Sequence, residues 1–439
     1  MDLIIRHGNV VTPDGVTPTD IAVADGKIAA VGAVREAGRQ EVNARGLHVF
    51  PGGIDAHVHF NEPGRAEWEG FETGSRALAA GGGTVYFDMP LNAHPPTIDG
   101  DAFTHKFVAA RARSVVDFAL WGGIVPGNLD ELESLSERGA IGFKAFLCDS
   151  GIEDFPCVDH RHLREAMKRL APLGEIVAVH AEWPDKLHPP ALGRMSARDY
   201  LDSRPVEAEQ EAIRIATELA GETGCALHIV HVSAGSSVEL VSRARQQGVN
   251  VTCETCPHYL FLTERDLEKL GAVAKCAPPL RSAEEQELLW ARVRDGSILF
   301  IASDHSPSPW AMKQNTDFFK VWGGISSCQH AWPLLLSKLE PAALAKLTAA
   351  NVADRFGLAP HKGRIAVGAD ADLTLVHLDT ETVVKAEDLL YRHKHTPYLG
   401  RKIRGHVLRT IVRGRTVYLG GKIVSPPIGH LVKATRKRS

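Results

Sequence analysis

Residues 51–60, PGGIDAHVHF, decide how the rest of this chain is read. A mostly apolar run follows two glycines, as in a strand buried on both faces, and His57 and His59 stand two positions apart near its end. Side chains alternate along a strand, so both imidazoles share one face and offer two nitrogen donors to one point. The spacing alone says little. His393-Lys394-His395 repeats it among charged residues, where it reads as surface. The first pair gains its weight from neighbouring strands.

Working outward, seven further apolar runs read as strands: TVYFDMP (84–90), DFALWGGI (117–124), IGFKAFL (141–147), IVAVHAE (176–182), ALHIVHVS (226–233), VNVTCETC (249–256) and ILFIASD (298–304). Segments such as GFETGSRALAAG, HLREAMKRLAPLG, VEAEQEAIRIATELAGETG and SSVELVSRARQQG lie between them, with helical apolar spacing and glycine stops. Near-continuous apolar strands with helical crossovers indicate a parallel sheet covered on both faces. This spacing favours closure into a TIM-like (β/α)8 barrel over residues 52–357. An open doubly wound sheet fits less well, because no Gly-x-Gly-x-x-Gly turn follows the first strand and Gly81–Gly83 precede one instead. Residues 1–51 and 358–439 read as short strands joined by turns such as Asp-Gly. They are expected to meet as one small β-sandwich domain, giving an α/β protein of two parts.

Composition excludes several function classes. A net charge of −3 across 439 residues gives no electrostatic pull toward nucleic acid, and no apolar run reaches membrane-spanning length. The opening MDLIIRHGNVVTPDG lacks the pattern of a signal peptide, and seven cysteines, an odd number, suit reduced thiols in a cytoplasmic protein. Cys253-x-x-Cys256 has no second pair to complete a zinc site, so both thiols are expected to pack in a buried strand. The basic run 433–438 reads as a solvated terminus.

Barrel strands carry catalytic groups at their C-terminal ends. There the odd polar residues are His57, His59, Lys144, His180, His231 and Asp304. Lys144, inside IGFKAFL, is the hardest to explain as structure. A buried amine tends to lose its proton, and a neutral amine can react with carbon dioxide to form a carbamate whose oxygens bridge two divalent ions. The plainer alternative is a lysine paired with a carboxylate. Imidazoles and carboxylates suit zinc and similar divalent metals. Asp304 is placed to accept a proton from a metal-activated water and pass it to a leaving nitrogen, or else to cap a following helix. His228 has the opposite strand parity to His231 and reads as packed or supporting. Asp55 reads as orienting a ligand.

These residues, in the order PGGIDAHVHF, Lys144, VHAE, HIVHVSA and ASDHSP, resemble the amidohydrolase superfamily over essentially the whole chain. The likeness is to its cyclic amidase branch of dihydroorotases, hydantoinases, dihydropyrimidinases and allantoinases. It implies a binuclear centre held by His57, His59, N6-carboxylated Lys144, His180, His231 and Asp304, with two divalent ions, zinc or alternatively cobalt, manganese or nickel. HVHFNEPGRAEWEGFETG, MPLNAHPPT, GFKAFLCDSGI, ETCPHYL and CAPPLR are most similar to the allantoinases. Dihydroorotases typically carry an arginine where Asn61 stands, and hydantoinases a tyrosine shortly after the lysine, where CDSGIEDF stands here. The resemblance therefore implies hydrolysis of the uncharged ureide allantoin to allantoate, a step of purine breakdown. Asn92 and Ser306 would touch that small-molecule substrate, and the protein would be a homotetramer. The alternatives are a hydantoinase or dihydropyrimidinase and, more remotely, a non-catalytic scaffold.

Overall fold

The mid-chain strands are buried at all but two positions, Ala226 and Thr252, as expected of a parallel sheet covered on both faces. The computed structural model describes residues 1–190 and 192–435, so positions 436–438 of the basic run lie outside it. Gly53–Val58, Gly83–Asp88 and Asp117–Leu120 form one parallel sheet. Gly122–Gly123, Phe143–Phe146, Ile176–His180, Ala226–Ile229, Val251–Thr255 and Phe300–Ile301 form a second, also parallel.

The run at 117–124 divides because its partner changes at Trp121. Trp121 N still donates to Asp88 O, whereas Gly122 N donates to Gly142 O on the other side. Glycine is needed at the switch, since a Cβ on Gly123 would come within 2.5 Å of the Phe155 ring. The run expected at 298–304 is cut to Phe300–Ile301. Beyond Ala302 the ladder gives way to a side chain, with Ser303 N donating to Asp55 Oδ1 at 2.9 Å. At the same level His59 N donates to His305 O, and Val58 forms a parallel bridge with His305.

The crossover helices bury one stripe each. In His160–Leu170 that stripe is Leu163, Ala166, Met167 and Leu170, spaced three and four apart, and Asp159 caps the start by accepting from His162 N. Fully burying one such large side chain contributes about 1.5–3 kcal/mol. The stripe, not the exposed basic face, holds this helix to the strands.

Both chain ends enter one nine-stranded sheet. His48–Pro51 pairs in parallel with Leu3–Thr12 and antiparallel with Leu373–Val383, so one short strand joins the two ends. Buried Lys362 ties this sheet to the parallel strands through Asp117 (2.7 Å), Asp372 (2.6 Å) and Asp370 (3.0 Å). No helix among the described residues is long and apolar enough to cross a membrane.

Candidate metal centre

His57, His59, Lys144, His180, His231 and Asp304 all face one open cavity of about 670 Å³, as do Asn92 and Ser306. Nε2 of His57 and Nε2 of His59 each lie 3.3 Å from Asp304 Oδ1, and these donor atoms fall within 4.8 Å of one another. On the other side His180 Nδ1 lies 3.0 Å from His231 Nε2. The His57 and His231 rings, 5.3 Å apart, connect the two groups.

The backbone is bent to achieve this. Asn61, Asn92, His231 and Asp304 adopt φ of 63°, 66°, 38° and 44°. Such a conformation costs a non-glycine residue on the order of 1–3 kcal/mol and persists where the surroundings over-determine it. Strand parity would send His228 and His231 to opposite faces. The strand ends at Ile229, however, and the left-handed turn at His231 aims its ring back into the cavity. Asp304 caps no helix. Ser306 N next to it donates to Ile325 O in a parallel connection.

Buried carboxylates fix the imidazoles. Glu254 Oε1 accepts from His57 Nδ1 at 2.6 Å and its Oε2 from His228 Nε2 at 3.2 Å, while Thr252 Oγ1 lies 2.9 Å from His228 Nδ1. Glu182 Oε2 accepts from His180 Nε2 and from Arg204 Nη1, both at 2.7 Å. Burial alone would raise both glutamates. His57 and His228 hold Glu254 down to about 2, and Arg204 and His180 do the same for Glu182. Both are therefore acceptors only, and each sets the tautomer of the histidine it touches. With Nδ1 held by Glu254, His57 turns its Nε2 toward Asp304. Burial, offset by His57 and His59, leaves Asp304 below the usual carboxylate range. Burial lowers His59, His180 and His231 and keeps them neutral.

Lone pairs converging on a carboxylate need a cation between them, so the donor set fits a divalent metal. Lys144 fits as well. Its Nζ has no hydrogen-bond partner, lies 4.9 Å from the Phe146 ring centre, and is pushed by burial down to about 7. Cys148 also approaches His180 and Glu182. Burial pushes its thiol well above the ordinary range, which disfavours the thiolate a metal would require.

Asn92 Nδ2 lies 3.3 Å from His59 Nδ1, so this residue touches a histidine as well as the cavity. Asn61 is buried, stands outside the cavity lining, and its Nδ2 donates to Pro307 O at 3.4 Å. Asp55 Oδ1 accepts from His57 N at 3.3 Å. Cys253 lies in a strand, whereas Cys256 sits just past it, before the helix Pro257–Phe261; both are buried. His393 and His395 are each half-buried, with Nε2 donating to Glu67 O and Ser308 O respectively.

Glu182 and Glu254 were not singled out from the sequence. Both stand as lone acids in apolar strand runs, the signal that marked Lys144.

The Amidohydrolase family model matches residues 48–417. A protein of Rubrobacter xylanophilus named allantoinase is 55% identical over 100% of this chain and 98% of its own length. One of the same name from Solibacter usitatus is 52% identical over 98% and 97%. Among solved structures, the L-hydantoinase (dihydropyrimidinase) from Arthrobacter aurescens superposes with a TM-score of 0.96 at 36% identity, covering 98% of this chain and 99% of its own. The dihydropyrimidinase from Brevibacillus agri gives 0.92 at 29% identity over 100% of both chains.

Proposed function

Because the chain belongs to the amidohydrolase family, we propose that it hydrolyses the hydantoin ring amide of allantoin to allantoate. The observation that carries this reading is full-length similarity to relatives named allantoinase. In this reading the parallel strands close as an eight-stranded barrel over 52–357, supported by the Val58–His305 bridge, and 1–51 with 358–439 form the second domain.

His57, His59, His180, His231, Asp304 and a carboxylated Lys144 would hold two divalent ions, zinc being the first choice. Carboxylation joins the neutral Nζ to the carbon of CO₂ with loss of one proton, and the buried, unpartnered amine supports it. Bound there, the metals would lower the pKa of a water and polarise the ring carbonyl. Asp304 takes the proton from the attacking water as the new C–O bond forms, and delivers it to the ring nitrogen as the C–N bond breaks. Glu254 and Glu182 keep His57 and His180 oriented. Asn92 and Ser306 face the cavity and would hold the ureide. Seven free cysteines support a cytoplasmic setting, and the family resemblance a homotetramer.

Likeness to the L-hydantoinase structure favours a second reading, a hydantoinase of broader range. Metal-loaded protein assayed in parallel on allantoin, hydantoin and dihydrouracil separates the two. Allantoin is expected to give the highest kcat/KM, and a higher value for either other ring overturns the assignment.

A further inference from the structure

The cavity lining includes Phe319, Val321, Trp322 and Gly324, in a segment with little regular structure of its own. Carbonyl oxygens on its inner side need donors, and a buried lysine supplies them. Lys275 Nζ donates to Phe318 O at 2.7 Å, Phe319 O at 3.2 Å and Val321 O at 2.6 Å. An ammonium has three protons and a neutral amine two, so this arrangement consumes the charged form completely. The charge is further housed by aromatic faces, with Tyr200 at 4.5 Å and Phe318 at 5.3 Å from Nζ to ring centre.

The peg is itself fixed. Gly324 N donates back to Lys275 O at 2.7 Å, and Tyr200 Oη donates to Cys276 O at 2.8 Å. A second buried lysine continues the pattern, Lys313 Nζ donating to Trp322 O at 2.9 Å and Gly324 O at 2.7 Å. Among the described residues, the hydrogen bonds of both lysine side chains go to main-chain carbonyls. Such charge-assisted bonds are about twice as strong as neutral ones.

The geometry points to Lys275 as a positioning residue for substrate: its ammonium holds the 318–324 wall at the distance from the metal-facing histidines that a small ureide ring requires. The substrate named here rests on the allantoin reading above; the clamp itself does not.

Lys275→Met keeps the length and apolar stem and removes all three donors. Hydrogen exchange followed by mass spectrometry and steady-state kinetics, on wild-type and variant of equal metal content, test the proposal. Amide exchange across 318–324 should quicken, and KM for allantoin should rise about tenfold while kcat changes by a smaller factor, the pattern of lost uniform binding. Unchanged exchange in this segment, or a KM within twofold of wild type, overturns it. Should the Met variant not fold, Lys275→Leu, which also removes every donor, carries the same readouts. Wild-type protein that leaves allantoin intact would defeat the substrate reading, and the exchange comparison would still decide the clamp.

Discussion

Glu254 Oε1 lies 2.6 Å from His57 Nδ1, and the same carboxylate reaches His228 with its other oxygen. A single glutamate thereby sets the tautomer of a cavity-facing histidine and satisfies a fully buried one. Glu254→Gln is expected to weaken metal binding by about 10–100-fold, the usual effect of removing a ligand-orienting carboxylate. Chelator competition on folded protein measures it. Metal affinity equal to wild type would show that Glu254 serves packing alone.

Lys144→Ala should lose bound metal and activity together, because the buried amine has no hydrogen-bond partner to explain it as structure. Short carboxylic acids should restore part of both. Metal analysis and turnover, with and without propionate, check this, and full retention of metal and rate would refute carboxylation.

Asp304→Asn should keep the fold and lose about 10²–10⁴ in kcat, the contribution general acid–base assistance commonly makes. The comparison is kcat under saturating allantoin with circular dichroism as the control for folding. A loss below about tenfold would leave Asp304 as a ligand only.

Dihydroorotate should be a poor substrate, with kcat/KM about a thousandfold or more below that for allantoin. A carboxylate lacking a partner loses a charge-assisted contact and still sheds water, a penalty of several kcal/mol, and about 1.4 kcal/mol is tenfold in rate. Asn61 contributes no cation, and it is buried against Pro307 outside the cavity lining. Asn61→Arg would therefore push the wall inward and slow allantoin turnover without creating a dihydroorotase. Equal kcat/KM for both substrates would overturn the assignment.

Lys362→Met should destabilise without touching the cavity. It leaves Asp117, Asp370 and Asp372 buried or half-buried together, and breaking such a pair costs roughly 3–5 kcal/mol. Thermal unfolding should start at a visibly lower temperature, and an unchanged Tm would mean the aspartates repartner.

The strand ends were legible because a strand buried on both faces tolerates no casual polar residue, so His57, Lys144, His180 and Asp304 stood out against apolar neighbours. The full-length resemblance followed from the same residues. Three features lay beyond that logic. Left-handed turns at His231 and Asp304 break the alternation from which facing is inferred, and nothing in the letters announces them. The last strand shortens because Asp55, far away in sequence, captures Ser303 N. Asn61 could be read as lacking charge, but its place outside the cavity lining goes with its contact to Pro307 and its own positive φ. Glu254 and Glu182 were readable and overshadowed, the first by the cysteines beside it.

The pairing of Pro51 with Leu373 sets an order of events during synthesis. His48–Pro51 is made more than three hundred residues before its partner and waits with an open edge until 373–376 have been made. Contacts so distant along the chain form slowly, and an unpaired edge strand invites association with other nascent chains in the interval. Stalled or prematurely terminated products lacking 373–383 should be cleared by proteolysis or held by chaperones, even though His57, His59, Lys144, His180, His231 and Asp304 are already present in them.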